Sequence, residues 1–228
     1  MFIFSIICSL FINKNKEYET DSKFYRFLLY TCTKIIKFFA RIKIKVTGAE
    51  LIPKEGRYLV VGNHRSAFDP ILLWEVIDKS ADLCFISKPE NFKFFAFGKI
   101  IKRCCFMAID RDNPRNALAT INKAARFLKE DKFSIVVYPE GTRNKTEEPL
   151  LPFHNGLFKI AKKAHVPVLV VTSRNNEKIV KNFPFHGTEV YYDFAGVIDA
   201  DQVEAMSNSE IAEKVQEMMM EKLNAAFN

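Results

Sequence analysis

The sequence predicts an α/β fold: a mostly parallel central sheet flanked by helices, with an N-terminal amphipathic helical segment ahead of it. Three observations carry this. From Ile42 onward, short runs rich in β-branched residues alternate with stretches of helical periodicity, the pattern of parallel strands joined by crossover helices. Proline, glycine and asparagine stand between the runs, where the chain must turn. The 228 residues, 48% of them hydrophobic, suffice for one full core and fall short of two ordinary ones.

Taken in order, strands are expected at residues 42–46, 58–62, 83–87, 134–138, 166–172 and 189–194, each a short β-branched or aromatic run bounded by turn residues. Helices are expected at 70–79, 91–103, 114–130 and 155–165, with 208–227 closing the chain. The last has an apolar stripe of Ile211, Val215, Met218, Met219 and Leu223, which most simply packs on the sheet. There is no internal repeat and no long linker, so the chain divides into an N-terminal helical segment, residues 1–41, and one domain, 42–228.

Charge is unevenly placed. The formal net charge is +7, which admits a nucleic-acid binder, a membrane-surface protein or an enzyme for anionic substrates. Residues 1–45 hold nine basic residues against three acidic ones, residues 46–165 hold 20 against 14, and residues 166–228 hold 5 against 10. The first stretch reads as a basic amphipathic helix. At about 100° per residue, Phe24, Phe27, Leu28, Thr31, Ile35, Phe38, Phe39 and Ile42 share one face, with Lys23, Arg26, Lys34, Lys37 and Arg41 on the other flank. That pattern suits a helix lying among anionic headgroups, or a helical hairpin that covers the main core. Ahead of it the apolar run 1–12 is well short of the ~20 residues that cross a bilayer. It lacks the basic start and small-residue cleavage site of a secretory signal. No nucleic-acid reader motif accompanies the charge.

The five cysteines, Cys8, Cys32, Cys84, Cys104 and Cys105, form neither a disulfide framework nor a zinc-ligand spacing. A reducing, cytoplasmic setting is the expectation that fits best. Cys104 and Cys105 are either buried inert thiols or an acyl-carrying nucleophile.

Three segments carry chemistry, each leaving an apolar run. Asn63-His64-Arg65-Ser66-Ala67-Phe68-Asp69-Pro70 follows the strand at 58–62. On a helix His64 and Asp69 would lie about 140° apart, so their contact requires a turn. Such a dyad would fix the imidazole tautomer and leave Nε2 as a base; alternatively Asp69 caps a helix with Pro70 at its first position. Tyr138-Pro139-Glu140-Gly141-Thr142-Arg143 offers a carboxylate for hydroxyls and a guanidinium fork for phosphate, or a glycine turn with a surface Glu–Arg pair. Ala108-Ile109-Asp110-Arg111-Asp112 precedes a helix; Arg111 with that helix N-terminus suits an anion, unless Asp110 and Asp112 neutralise it.

Together these blocks, followed by Val166-Pro167-Val168, resemble the four-block signature of the glycerolipid acyltransferases, specifically the 1-acylglycerol-3-phosphate acyltransferases, over residues 40–195. The chain departs from the family pattern at Cys105, His154 and Val170. The resemblance implies that 42–228 is an acyltransferase domain carrying the HX4D motif. It would move an acyl chain from acyl-ACP or acyl-CoA to a lysophosphatidic acid or related lysolipid, giving phosphatidic acid in phospholipid biosynthesis. It implies His64 as general base oriented by Asp69, and Arg111 and Arg143 on the phosphate. Glu140, Gly141 and Thr142 would shape the glycerol end, with a lesser part for Lys88 of Lys88-Pro89-Glu90. Neither metal nor cofactor is expected, and the partners are lipid and thioester donor at the cytoplasmic face of a membrane, peripheral or monotopic. The rivals are acylation of glycerol-3-phosphate or another lysolipid, hydrolysis through Ser66, which lacks the nucleophile elbow, and a non-enzymatic lipid-binding module.

Overall fold

The computed structural model describes residues 1–77 and 82–225. Its described strands form one seven-stranded sheet, in the order β1-β7-β6-β2-β5-β3-β4. These are β1 (Ile42–Thr47), β2 (Leu59–Gly62), β3 (Cys84–Ser87), β4 (Met107–Ala108), β5 (Ile135–Val137), β6 (Val168–Arg174) and β7 (Thr188–Ile198). From β6 through β2, β5 and β3 to β4 every pairing is parallel. The one antiparallel pairing, β6 with β7, turns β7 and its parallel neighbour β1 the other way. In the middle of the sheet Leu59, Val60, Ile135, Val136, Val168 and Leu169 are wholly buried. A continuous apolar run is what a parallel strand covered on both faces requires.

Helices α3 (Phe68–Val76), α4 (Phe97–Arg103), α5 (Pro114–Lys129), α6 (Lys159–Ala164), α7 (Lys178–Asn182), α8 (Ala200–Ala205) and α9 (Asn208–Ala225) complete the domain. In α9, Ile211, Val215, Met219 and Leu223 are buried and the helix packs on β6 and β7, so its methionine run serves the core. Because the five strands from β6 to β4 run the same way, their carboxyl ends open on one edge, the usual position of a ligand crevice in such sheets. The segments after β2, β3, β4, β5 and β6 all start there.

Some elements differ from expectation for local reasons. The helix expected from Pro70 begins two residues earlier, because the Phe68 amide donates to Ser66 Oγ at 3.2 Å and the Asp69 amide to the Ser66 carbonyl at 3.3 Å. Asp69 is therefore inside the first turn and is not its cap. The expected helix at 91–103 is broken: a 3-10 turn (Pro89–Lys93) folds back on α4, and Phe94 between them is extended. Gly98 permits the fold, since any Cβ there would collide with the Phe92 backbone. Strand β4 and helices α7 and α8 were too short to stand out as patterns. The expected helix ends at Lys79 and Phe227 lie outside the described residues.

The N-terminal segment forms α1 (Phe2–Ser9) and α2 (Lys23–Phe39). Helix α2 buries Arg26, Leu28, Leu29 and Thr33. Arg26 pairs with Asp21 and donates to the Leu83 carbonyl at 2.8 Å, Trp74 Nε1 donates to Thr33 Oγ1 at 3.1 Å, and Lys37 meets Glu75 at 2.8 Å. Its aromatic face stays outside, with Phe24, Phe27, Phe38 and Phe39 exposed. Helix α1 is inverted in the same sense: Ser5 and Ser9 are buried, while Phe2, Ile3, Phe4, Ile6 and Ile7 are exposed. Among the described residues no helix is long and apolar enough to cross a membrane.

Candidate active site

Strand β2 ends at Gly62, and the next two residues are held from both sides. The Asn63 amide pairs with the Ser173 backbone on β6, accepting at 2.7 Å and donating at 3.1 Å. The His64 amide donates to Glu140 Oε1 at 2.6 Å, and its carbonyl accepts from the Asn144 amide at 2.6 Å. The turn that follows brings His64 Nδ1 to 2.8 Å from Asp69 Oδ2. The same oxygen accepts from the Arg65 and Ser66 amides, both at 2.7 Å. With two backbone amides already donating to Oδ2, Nδ1 is the donor across this contact and Nε2 is the ring nitrogen turned away from Asp69.

The other face of Asp69 is equally occupied. Oδ1 accepts from Asn176 Nδ2 at 2.6 Å and Ser173 Oγ at 3.3 Å, and the Asp69 carbonyl accepts from the Tyr192 hydroxyl at 3.1 Å. A buried carboxylate with this many donors is held in one orientation and compensated for the loss of water. His64 lies flat on Tyr138, ring centroids 4.5 Å apart and planes 24° from parallel, which holds the imidazole in plane while leaving a fifth of its side chain exposed.

Glu140 sits behind the dyad and does not face open space. Its second oxygen accepts from the Leu151 amide at 2.9 Å, so both oxygens bind backbone. Burial pushes its carboxyl above the usual range, against the two amide hydrogen bonds that pull it down. This carboxylate ties the 138–151 loop to His64, a role the sequence reading, which set it against glycerol hydroxyls, did not contain. Gly141 has φ +71°, and a Cβ there would overlap the Arg111 guanidinium; the missing side chain lets Arg111 lie across the loop.

Among the described residues neither Arg111 nor Arg143 has a carboxylate partner. Asp110 instead accepts from the Asp112 amide at 3.1 Å, so the neutralised form of that segment is not what forms. Arg111 is exposed as a residue, and partial desolvation where its guanidinium lies over Gly141 pushes that group below its ordinary value; partial desolvation and the Arg111 charge push the likewise exposed His154 down. Thr142, Arg143 and Lys88 are exposed, Lys88 directly after β3 and the other two in the loop after β5. The structure thus brings His64, Asp69, Glu140, Gly141 and Arg111 into one contiguous set, with Thr142, Arg143 and Lys88 on the surface beyond the same strand ends.

Ser66 is buried, and its Oγ is engaged by the Phe68 amide, which leaves the hydrolytic alternative without a presented nucleophile. Cys104 and Cys105 are likewise buried. Burial pushes the Cys84 and Cys104 thiols far up and Cys105 to about 11, so they are protonated at neutral pH and poor nucleophiles. Iodoacetamide at pH 7 is expected to leave all three unmodified in the folded protein, and a C104A/C105A variant is expected to keep its activity. An acyl group recovered on either cysteine by peptide mass spectrometry would overturn this.

The acyltransferase family model matches residues 43–174. The chain belongs to that family. It is 26% identical over 226 residues to the 1-acyl-sn-glycerol-3-phosphate acyltransferase of Saccharomyces cerevisiae, covering 97% of this chain and 71% of the yeast protein. To the enzyme of the same name from Borreliella burgdorferi it is 28% identical over 198 residues, covering 86% and 78%. The crystal structure of the 1-acyl-sn-glycerophosphate acyltransferase PlsC from Thermotoga maritima superposes with a TM-score of 0.67 at 22% identity, covering 97% of this chain and 87% of that one, a likeness of fold. Within this acyltransferase, Asn63 and Tyr138 open two of the segments read from the sequence but carried no role there, and Ser173, Asn176 and Tyr192 were not singled out at all. Ser173 and Asn176 lie at and just beyond the carboxyl end of β6, which pairs with β2.

Proposed function

We propose that the protein transfers a fatty acyl chain from a thioester donor, acyl-ACP or acyl-CoA, to the sn-2 hydroxyl of 1-acylglycerol-3-phosphate, yielding phosphatidic acid. The observation that carries the acceptor is the pair of guanidinium groups without carboxylate partners, one of them partly desolvated over Gly141, beside a histidine held as a base. A cation kept without a partner at a site edge suits a phosphate, which supplies the missing charge and takes a planar fork in two hydrogen bonds.

In this reading His64 Nε2 takes the proton of the acceptor hydroxyl as its oxygen attacks the thioester carbonyl. Asp69 steadies the imidazolium that results. The C–S bond then breaks and the thiolate leaves. A thiol of pKa about 8.5 needs no strong acid to depart, so a single histidine suffices and no acyl-enzyme is required. At the β3–β4 end of the edge lies an open cleft of about 370 Å³, in which Phe92, Phe106 and Met107 offer apolar surface for an acyl chain and Glu17, Lys102, Asn116 and Lys123 line the polar part. The exposed apolar faces of α1 and α2, with Lys23 and Lys34 on α2, support peripheral seating on an anionic membrane surface at the cytoplasmic face.

The test is a panel of acceptors with both donors, products read by mass spectrometry, comparing wild type with Arg143→Ala. Lysophosphatidate is expected to be the preferred acceptor. The variant is expected to raise the KM for it about tenfold, the loss of one charged hydrogen bond, with the thioester KM unchanged. Equal effects on both substrates would make Arg143 structural, and equal rates with a non-phosphorylated monoacylglycerol would exclude the phosphate reading.

A further inference from the structure

Beyond the N-terminal helices a separate aromatic tip stands out of the domain. After α7 the chain runs Phe183-Pro184-Phe185 before entering β7. Phe183 is 51% exposed, Phe185 80% and the neighbouring Val180 68%, although Ile179 on the same short helix is buried. The core has thus taken its share of this segment and left the largest side chains outside. Isolated exposed apolar residues need no explanation, but a cluster does.

The tip is joined to the aromatic end of α2. Arg41, two residues after Phe39, donates to the Pro184 carbonyl, and its own carbonyl accepts from the Thr188 amide at 3.2 Å. From Ile42 onward β1 then pairs with β7 in register, starting at Thr188. Phe38 and Phe39 at the end of α2 are 76% and 68% exposed. The two aromatic pairs are therefore held together by backbone and guanidinium contacts.

Cations flank the tip along the chain. Lys178 and Lys181 precede it on α7, Arg41 reaches its Pro184 carbonyl and Lys43 follows on β1, all four exposed, with His186 exposed beside Phe185 and Glu177 and Glu189 as acidic residues of the same stretches. The core of a protein interface is depleted of lysine, whereas aromatic rings flanked by Lys and Arg are the composition of a segment that enters a lipid headgroup layer. The positive charge matches an anionic leaflet, which attracts each such side chain within a Debye length.

We infer that the Phe183–Phe185 tip is a second point of insertion into an anionic bilayer, separate in sequence from α1 and α2 and fixed beside the end of α2. This rests on the membrane-surface reading above and adds a site in the second half of the chain. Two anchors at a fixed separation define a plane of contact, where one helical hairpin alone leaves the domain free to roll about it.

The experiment uses the full chain and vesicles of phosphatidylcholine with one third phosphatidylglycerol. F183S/F185S is expected to lower partition onto these vesicles about tenfold, a modest share of what burying two phenylalanines contributes, with activity in detergent mixed micelles unchanged. In parallel, the single tryptophans introduced by F185W and F4W report depth through quenching by brominated lipid. The native Trp74, 3% exposed in the core, serves as an unquenched reference. Quenching at both positions is the expected result. Quenching of F4W with none of F185W overturns the tip while leaving the N-terminal anchor standing, and quenching of neither removes both. A change of oligomeric state in F183S/F185S without any loss of partition would assign the tip to self-association and overturn the proposal.

Discussion

Replacing His64 by alanine is expected to lower acyl transfer about 10³-fold, the middle of the range for a positioned general base. Binding to anionic vesicles should be unchanged. The variant should fold, because Asp69 Oδ2 keeps the Arg65 and Ser66 amides and loses only one of its donors. The His64 backbone contacts to Glu140 and Asn144 survive the substitution as well. What disappears is the one group in this set that can take a proton from an alcohol and is exposed enough to reach it. Initial rates with a thioester donor and lysophosphatidate check this, and a loss below tenfold would place the base elsewhere.

Asp69→Asn is expected to lower kcat about 100-fold, a tenth or less of the His64 effect, and the reason is local. An asparagine offers one oxygen and one NH2. On the His64 side three donors converge, two of them backbone amides that cannot turn away, so the oxygen must face that side and the histidine tautomer is preserved. The NH2 then faces Ser173 and Asn176. Ser173 Oγ can accept by rotating, and the Asn176 amide can flip to present its Oδ1, which is buried without a partner in the native arrangement. What is lost is the negative charge that strengthens the hydrogen bond to the forming imidazolium, a bond of about 1.5–3 kcal/mol to a charged partner against about 0.5–1.5 kcal/mol to a neutral one. Asp69→Ala, by contrast, strands five donors in a buried site and should cost stability as well, at roughly 1–3 kcal/mol for each donor left without a partner. Thermal unfolding separates the two variants: D69N near wild type and D69A well below it. Should D69N lose as much activity as H64A, the asparagine oxygen has turned away from the histidine and the rigid-amide argument fails.

The central strands were legible because parallel strands buried on both faces must be apolar throughout, as residues 59–61, 135–137 and 168–171 are. The dyad was legible in outline, since a turn was needed to bring His64 and Asp69 together and Pro70 marks one. What holds the dyad was not. Ser173 and Asn176 lie more than a hundred residues from Asp69 and meet it only because β6 pairs with β2, a neighbour relation that no local pattern encodes. Glu140 was read by residue type as a partner for hydroxyls, yet its oxygens go to two amides, because a loop crossing a sheet edge has buried N–H groups that must be satisfied. The exposure of Phe24, Phe27, Phe38 and Phe39 inverts the usual rule for an amphipathic helix. The periodicity of α2 grouped the exposed phenylalanines but misplaced Leu28, Ile42 and Arg26: Leu28 turns to the domain, Ile42 belongs to β1, and Arg26 is buried against Asp21 and the Leu83 carbonyl.

Helix α2 is fastened by Arg26 to the Leu83 carbonyl, by Thr33 to Trp74 and by Lys37 to Glu75. Trp74 and Glu75 belong to α3, the helix whose first turn holds Asp69, and Trp74 is five residues from it, about 7.5 Å along the axis. Anything gripping the outer face of α2 is thus coupled through a stiff lever of one and a half turns to the proton-transferring pair. On a bilayer that lever would work like a depth gauge. The height at which His64 meets a hydroxyl would be set by the architecture, so a change of acceptor position would call for a shift in how α2 and α3 are bolted together, with no new chemistry at the dyad itself.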